Sequence, residues 1–143
     1  MFYNYRILPE YGLVIHYVAG VMDYDMLAAA AEKVRCDPRF EAHYHSLIDI
    51  RAAEADVNIR QLKSFMRKTR NIRGHDNSRK HALIISRPEH FVIGTYMQEI
   101  MEHLSMHISI FSTYAGASAW LELQDLPEPV FESCIRALCP RQG

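Results

Sequence analysis

The sequence predicts one α/β domain built on a mixed five-stranded sheet, with helices mainly on one face. Three observations support that fold class. The length of 143 residues is about that of a single domain. Strand-like runs alternate with helical patterns of ten or more residues, which is typical of a largely parallel sheet. The two runs that open the chain follow each other without a helix, so they are expected to form an antiparallel hairpin at the sheet edge.

The first half of the chain supplies three strands and two helices. The hairpin strands are "FYNYRIL" and "LVIHYVAG", and the Pro and Gly of the intervening "PEYG" suit a tight reversal. Asp23 is the predicted N-cap of a helix that ends before Pro38. "YHSLIDI" is the third strand. Asn58 and Gln61 then have the spacing of a capping box, and the helix that they open is expected to keep one apolar face as far as Gly74.

The second half continues the alternation. "KHALIIS" is the fourth strand, and Ser86 with Glu89 has capping-box spacing before the third helix. "HISIFST" is the fifth strand, and Thr113 is the expected N-cap of the helix "YAGASAWLEL". A final amphipathic segment carries five apolar residues on one face: Val130, Phe131, Cys134, Ile135 and Leu138. We therefore divide the chain into an α/β domain over residues 1–123 and, over residues 124–143, an amphipathic helical extension that packs on the domain or on a second subunit.

The composition excludes several classes of protein. Hydrophobic residues make up 49% of the chain and the formal net charge is -1, so neither a wholly basic nucleic-acid binder nor an acidic disordered tail is expected. The three cysteines form no CxxC pair, which favours a reducing cytoplasm over a disulfide framework or a zinc site. No segment approaches the roughly 20 apolar residues that a membrane span needs. We expect a cytoplasmic protein with no membrane span and no nucleic-acid partner.

Four stretches resemble a known family. The segments "YGLVIHYVAGVMDYDMLAAAAEKVRCDPRF", "SLIDIRAAEADVN", "IGTYMQEI" and "ISIFSTYAGASAWL" are similar to the SpoIIAA-like, STAS-type domains found in many bacterial genomes. The resemblance covers roughly Tyr5 to Leu121 and rests on the order of elements, the "IDIR" strand end and the closing "AWL". It implies an STAS-like fold in a bacterial regulatory protein that acts by binding another protein.

One part of the sequence departs from that family. The anti-anti-sigma members carry a phosphorylatable Ser or Thr at the start of the helix after the third strand. Matching "IDIRAAEADVNIRQL" to that region places Asp56 near the family's acidic position, and Val57 and Asn58 where the hydroxyls would be. A phosphate would be stabilised at a helix N-terminus, but this loop has no residue to carry it. A kinase-controlled switch of the usual kind is therefore not expected.

Three carboxylates near the end of the third strand, Asp49, Glu54 and Asp56, raise the question of acid–base catalysis. Such catalysis needs two groups that converge on a pocket with separated pKa values. Asp at a strand end, and Asp or Asn before a helix, routinely satisfy backbone donors instead. Turn and capping roles are therefore favoured over catalysis for these side chains.

The histidines include two spacings that metal sites use. His43 and His45 would share a strand face, and His103 and His107 are four residues apart. The first pair has no obvious third ligand nearby, and His107 falls past the predicted helix end, so no metal or other cofactor is predicted. The sequence also lacks GxSxG, HExxH, P-loop and GxGxxG motifs, so an enzyme is not favoured.

The charge of the chain is unevenly distributed. Between Arg60 and Lys80 there are eight Lys and Arg against one acid, Asp76, a local charge of +7 that leaves -8 for the remaining residues. Four of these cations recur along one side of the second helix: Arg60, Lys63, Arg67 and Arg70. A solvated helix surface and a surface for an acidic partner are both consistent with such a stripe.

The predicted function is a non-catalytic regulatory or protein-binding module that acts through the second helix and the loop before it. Its expected partner is an acidic protein or an anionic ligand, and self-association into a homodimer is an alternative. The predicted binding residues are Asp49, Asp56, Asn58, Arg60, Lys63, Arg67 and Arg70. The alternative function is a carrier that holds a small apolar or anionic ligand, such as a lipid, between sheet and helices, which a deep apolar cavity would favour. An enzyme would need Asp49, Asp56 and His45 to converge in one cleft.

Overall fold

Five strands form a single sheet in the computed structural model, which describes residues 1–55, 58–70, 78–104 and 106–141. The strands are β1 (Phe2–Leu8), β2 (Leu13–Val21), β3 (His45–Glu54), β4 (Lys80–Ile84) and β5 (His107–Phe111). The helices are α1 (Tyr24–Arg35), α2 (Ile59–Arg70), α3 (Pro88–His103), α4 (Tyr114–Trp120) and α5 (Glu128–Leu138). The strands lie side by side in chain order, with β1 antiparallel to β2 and the other neighbours parallel. The predicted mixed α/β architecture is confirmed.

The hairpin between β1 and β2 turns through a short 3-10 helix, Pro9–Tyr11, and Gly12. Gly12 has a φ of 58°, in the left-handed region that glycine adopts without a steric penalty. Its N–H donates to the carbonyl of Pro9 at 3.1 Å, which closes the turn. Leu8 and Leu13 therefore lie opposite each other at the start of the antiparallel pairing, and the predicted hairpin is confirmed.

The direction of the chain decides which face of the sheet each helix covers. Every step from β2 to β5 moves one strand along the sheet in the same direction, and such crossovers are right-handed. For this reason α1, α2 and α3 pack on one face. The helices that follow the last strand, α4 and α5, pack on the opposite face. No helix in the described part of the chain is long and apolar enough to cross a membrane.

Three of the predicted helix caps are confirmed by hydrogen bonds. The Asp23 carboxylate accepts from the backbone N–H groups that open α1. The Asn58 side chain accepts from the N–H of Gln61 at 3.1 Å at the start of α2, and Thr113 accepts from the N–H of Gly116 at 3.2 Å in α4. Each cap satisfies a backbone donor that has no partner within the helix.

The predicted cap of α3 is wrong. Arg87 holds the N-cap position, and the Ser86 hydroxyl donates to the carbonyl of Arg51 at 3.0 Å instead. His90, in the first turn, accepts with Nδ1 from the N–H groups of Ser86 and Arg87, which precede the helix, each at 3.2 Å. Its Nε2 therefore carries the proton and donates to the carbonyl of Ala53 at 2.8 Å. A histidine in the first turn thus fixes α3 to β3.

Several elements end at residues other than those predicted, and the differences at β3 and α4 have a clear cause. β3 continues to Glu54 because β2 remains paired with it as far as Val21. α4 ends at Trp120, and Glu122, with a φ of 58°, takes the left-handed conformation that stops a helix. The predicted continuation of α2 to Gly74 lies outside the described residues.

The face covered by α4 and α5 is closely packed. Phe131 of α5 is completely buried, and its ring stacks on that of Tyr114 with 4.3 Å between centroids. Four of the five apolar residues predicted on the last helix are buried, and Val130 is exposed. The helix therefore lies against the sheet of its own chain, whereas the division of the chain at residue 123 stays a prediction.

Candidate functional site

A cavity of about 420 Å³ lies between the sheet and helices α1, α2 and α3. Strands β2, β3 and β4 form its floor, and the three helices form its roof. Most of its wall is apolar, including Val18, Ile48, Ile50, Leu83, Ile93 and Met97. Small-molecule sites typically have volumes of roughly 300–1,000 Å³ and apolar walls with a few polar groups, so this cavity has the dimensions of a ligand site.

The cavity exists because α1 presents small side chains to the sheet. The run of alanines in the middle of this helix places Ala30 and Ala31 on the cavity wall, where longer side chains would occupy the space. Ile48 lies on β3, the central strand of the sheet, yet its side chain is only partly buried because it faces the cavity. The space therefore follows from the local sequence of α1.

Helix and sheet pack closely, with no space between them, where α3 crosses β5. A Cβ added to Gly94 would lie 2.5 Å from Cγ2 of Ile110, well inside van der Waals contact. The absence of a side chain at Gly94 thus lets the helix backbone approach the strand closely. The cavity consequently opens beneath α1 and α2, while α3 is held against the edge of the sheet.

Polar side chains from neighbouring strands meet at one end of the cavity. Tyr3 Oη lies 2.6 Å from Nδ1 of His16, and Nε2 of His16 lies 3.3 Å from Oγ of Ser46. Arg79, which directly precedes β4, donates from Nη2 to Ser46 Oγ at 2.6 Å and from Nε to the carbonyl of Tyr44. We call Tyr3, His16, Ser46 and Arg79 the polar cluster. It joins β1, β2 and β3 to the start of β4.

Burial sets the protonation of the polar cluster. Desolvation, and to a smaller extent the nearby charge of Arg79, lowers the pKa of His16 to about 3. Desolvation also raises the pKa of Tyr3 well above its usual value, with a smaller contribution from Tyr5 and an opposing one from Arg79. At neutral pH the imidazole and the phenol are therefore uncharged, and Arg79 is the cation of the cluster.

The hydroxyls and the imidazole can share their hydrogens in two ways. If Tyr3 donates to His16 Nδ1, then Nε2 donates to Ser46 and the Ser46 hydrogen has no acceptor among the described residues. If Ser46 donates to Nε2, then Nδ1 donates to Tyr3 and the Tyr3 hydrogen is the one left over. Either arrangement leaves one hydroxyl donor for a molecule in the cavity.

The order Ser46, His16, Tyr3 is that of a nucleophile, a base and a group that orients the base. The electrostatics do not suit that chemistry. A histidine whose pKa is about 3 binds a proton too weakly to take one from a serine hydroxyl near neutral pH, and the Arg79 cation disfavours an imidazolium beside it. The polar cluster is better suited to hydrogen bonding than to proton transfer.

The mouth of the cavity lies beside the polar cluster. Exposed and half-buried lining residues mark it, namely Arg35 at the end of α1, Phe40 and Ala42 in the following loop, and Thr69 near the end of α2. The Arg79 guanidinium lies over the ring of Phe40, 5.1 Å from its centroid. A molecule could enter here with its apolar part first and keep its polar part at the mouth.

The predicted binding residues do not meet at this cavity. Asp49 is 2% exposed on the opposite face of the sheet, where the Arg51 guanidinium binds both of its oxygens at 2.9 and 2.8 Å. Arg51 also reaches Glu132 at 3.3 Å, so this group of charges connects β3 to α5. Asn58 is exposed and caps α2, and Asp56 lies outside the described residues.

The four cations of the predicted stripe, Arg60, Lys63, Arg67 and Arg70, are exposed on α2. None of them forms an ion pair with another described residue. Two other cations of the same basic run turn inward: Arg79 joins the polar cluster, and Lys80 Nζ donates to the carbonyl of Trp120 at 3.0 Å. The basic run is thus divided between an outer surface and the interior.

An open depression of about 630 Å³ lies beside the N-terminus of α2. Its wall includes Met22, Asp23, Tyr24, Asn58 and Gln61. This is the region that the sequence predicts as a partner surface, and it is separate from the polar cluster because it lies at the opposite end of α2.

Two of the histidines singled out in the sequence, His43 and His45, have local partners. His45 Nδ1 accepts from the N–H of Lys80 at 2.9 Å, and His43 lies 3.5 Å from Glu41 on the surface. His45 and Asp49 do not converge on the cavity. Within the described ranges, no three His, Cys, Asp or Glu side chains come together in a way that could hold a metal ion.

Sequence reasoning missed the polar cluster, although a signal was present. His16, Ser46 and His81 are polar residues within three neighbouring strand-like runs, "LVIHYVAG", "YHSLIDI" and "KHALIIS". All three line the cavity, and Ser46 and His81 lie directly opposite each other in the pairing of β3 with β4. Polar residues at inward positions of adjacent strands could have indicated a buried polar site.

Comparison with known proteins identifies a structural neighbour. No family model and no curated protein matches the chain. Among solved structures, it is similar to an uncharacterized protein from the DUF3478 family, with a SpoIIAA-like fold, from Shewanella loihica PV-4. The identity is 14%, the match covers 76% of this chain and 83% of that chain, and the TM-score is 0.48. SpoIIAA-like is also the fold that the sequence resemblance implies; the architecture described above rests on the chain's own topology.

Proposed function

We propose that this chain is a small-ligand-binding domain whose ligand occupies the cavity between the sheet and helices α1, α2 and α3. The observation that carries the proposal is the cavity itself, about 420 Å³ in volume, with apolar walls and a polar cluster at one end. Protein interiors are close-packed and contain few voids larger than a water molecule. A void of this size is therefore unusual unless a ligand fills it.

The position of the cavity supports the same function. Most of its lining side chains lie on strands and helices, so the site is held by regular elements rather than by mobile loops. The few polar groups are concentrated at the mouth, while the deeper wall is formed by side chains such as Ile50, Leu83 and Ile93. This arrangement favours a molecule with an apolar body and one polar end.

Decanoate and 1-decanol are suitable probes because both carry a ten-carbon apolar chain with a single polar end. We expect at least one of them to raise the thermal unfolding midpoint, since a ligand present at 100 times its Kd stabilises the folded state by about 2.7 kcal/mol. Ile48→Phe, which fills the cavity, should abolish the increase. Ile59→Phe makes the same substitution at a residue that is 37% exposed. This variant should retain the increase in the unfolding midpoint.

The measurement is a thermal melt of the wild type and both variants, with and without each probe. An unchanged midpoint of the wild type with both probes would contradict the proposed function. So would an equal response of Ile48→Phe and Ile59→Phe, because binding would then not involve the cavity.

A second candidate function, binding of an acidic protein through α2, is supported by a separate observation. The exposed side of α2 presents four cations that form no ion pair with a described residue, Arg60, Lys63, Arg67 and Arg70. Charges of one sign on a helix attract an oppositely charged partner over distances of about the Debye length, roughly 10 Å at 0.1 M salt and 3 Å at 1 M.

The test of this second function compares the parent with a variant in which Arg60, Lys63 and Arg67 are all replaced by Gln. An acidic partner is first captured from native lysate and identified, and its association rate is then measured for both proteins over a salt series. The parent should associate faster and lose more of its rate as salt increases. Equal rates and equal salt slopes would show that the basic stripe is only a solvated surface.

A further inference from the structure

The chemistry of the cavity indicates the chemical class of the proposed ligand. We infer that it is an amphipathic carboxylate whose anionic head lies at the polar cluster and whose apolar chain extends beneath the helices, an inference that rests on the proposed function. Three features of the cavity support this ligand: the charge of the lining side chains, the donors that they present and the position of the mouth.

The lining side chains favour an anion over a cation. None of the described residues that line the cavity is Asp or Glu, whereas two of them are arginines, Arg35 and Arg79. Arg35 lies at the mouth and forms an ion pair with Glu32, which does not line the cavity. Arg79 is half-buried at the same end of the cavity, and its charge is felt by both His16 and Tyr3. A negative group at this end of the cavity would be attracted to a cation in a partly desolvated site.

The donors of the polar cluster suit a carboxylate. A carboxylate has two oxygens that accept hydrogen bonds and no hydrogen to donate. The cluster offers the cationic guanidinium of Arg79 and the one hydroxyl hydrogen, on Tyr3 or Ser46, that has no acceptor among the described residues. Hydrogen bonds to a charged acceptor are shorter and stronger than those between neutral groups, so an anionic head should bind here more tightly than an alcohol.

The shape of the cavity sets the orientation of the ligand. The polar cluster and the mouth are at the same end, formed by Arg79, Phe40 and Thr69. The deeper wall consists of apolar side chains from the sheet and from α2 and α3, including Ile50, Leu83, Met66, Ile93 and Met97. The head therefore stays near the mouth, where some hydration remains, and the chain is buried.

The experiment measures the affinities of decanoate and 1-decanol by calorimetry at neutral pH. The two probes have the same chain and differ at the head, so their affinity ratio reports the preference for a carboxylate. We expect decanoate to bind about 10- to 150-fold more tightly, the ratio that corresponds to a hydrogen-bonded charge worth about 1.5–3 kcal/mol. Arg79→Gln should reduce this ratio strongly, and Tyr3→Phe should reduce it less.

Controls and outcomes separate this inference from the proposed function. Arg136→Gln removes an exposed cation of α5, on the opposite face, and should leave the ratio unchanged. If decanoate and decanol bind the wild type equally, the carboxylate inference is overturned while the proposed function stands. If neither probe binds, both fail. The wild-type comparison decides the question even if Arg79→Gln does not fold.

Discussion

The two faces of the sheet are built from alternate residues of the same strands, yet they pack differently. On one face, α4 and α5 bury Phe131 and Tyr114 in a stacked pair against Leu13 and Ile15 of β2 and Ile84 of β4. On the other face, α1, α2 and α3 leave a cavity of about 420 Å³. We call these the packed face and the cavity face.

The difference is what we expect if the proposed ligand binding is assigned to one face and stability mainly to the other. The packed face uses large side chains from two short helices, and buried aromatic groups contribute strongly to core stability. The cavity face places alanines of α1 over the sheet and polar residues within its strands, both of which reduce the apolar contact available for folding. Substitutions of the same type should therefore have different effects on the two faces.

The largest expected difference concerns truncation of isoleucine. Ile84→Ala on the packed face should reduce the free energy of unfolding by about 2–5 kcal/mol, because it leaves a new void among buried side chains. Ile48→Ala should reduce it by roughly half as much, since this side chain already borders an open volume. Urea melts of both variants measure the two changes. Equal losses would mean that the cavity face is packed as closely as the other.

Acid should destabilise the protein through the cavity face. The pKa of His16 is about 3 in the folded protein and 6.5 in the unfolded chain, so the unfolded state binds more protons between these values. Stability is therefore lost as the pH falls below 6.5, by about 2 kcal/mol at pH 5 from this group alone.

His16→Gln should remove much of that acid sensitivity because glutamine does not titrate. The matched control is His103→Gln, which changes an exposed histidine of α3 and should leave the pH dependence as it is in the wild type. Denaturant midpoints at pH 8 and pH 5 provide the comparison. A pH dependence unchanged by His16→Gln would show that other groups cause the loss.

A smaller difference in stability between the two faces is expected when alanines are replaced by leucine. Ala117→Leu on the packed face should cost about 1–3 kcal/mol, because Ala117 is fully buried and a larger side chain forces its neighbours to move. Ala31→Leu places the same side chain into the cavity and should be tolerated at less than about 1 kcal/mol while weakening decanoate binding. Loss of stability in Ala31→Leu as large as in Ala117→Leu would indicate that the cavity has no spare room.

The architecture could be predicted from the sequence because each of its elements has a local signal. The caps at Asp23, Asn58 and Thr113 depend on residues within one helical turn, so their spacing was sufficient. The prediction of the α3 cap failed because the hydrogen bond of Ser86 depends on a residue far away in the sequence. Ser86 bonds to a carbonyl of β3, a partner remote in sequence, and Arg87 holds the N-cap position.

The site could not be predicted because it depends on how elements pack. The sequence places Asp49 near the end of the third strand, but its ion pair with Arg51 and its position on the packed face depend on how α5 and the sheet pack. In the sequence, Arg79 is one of many cations in a basic run. Its hydrogen bond to Ser46 depends on its position directly before the start of β4. A gap between helix and sheet has no local sequence signal beyond the alanines of α1.

The central claim is that a ligand occupies the cavity face and leaves the packed face unaffected. Isoleucine methyl groups on both faces allow a direct test by NMR during titration with decanoate. We expect chemical-shift changes at the methyl groups of Ile48, Ile50, Ile93 and Ile108, which line the cavity. The methyl groups of the packed face, Ile15, Ile84 and Ile135, should change little. No change at the first group, or equal changes in both groups, would contradict the claim.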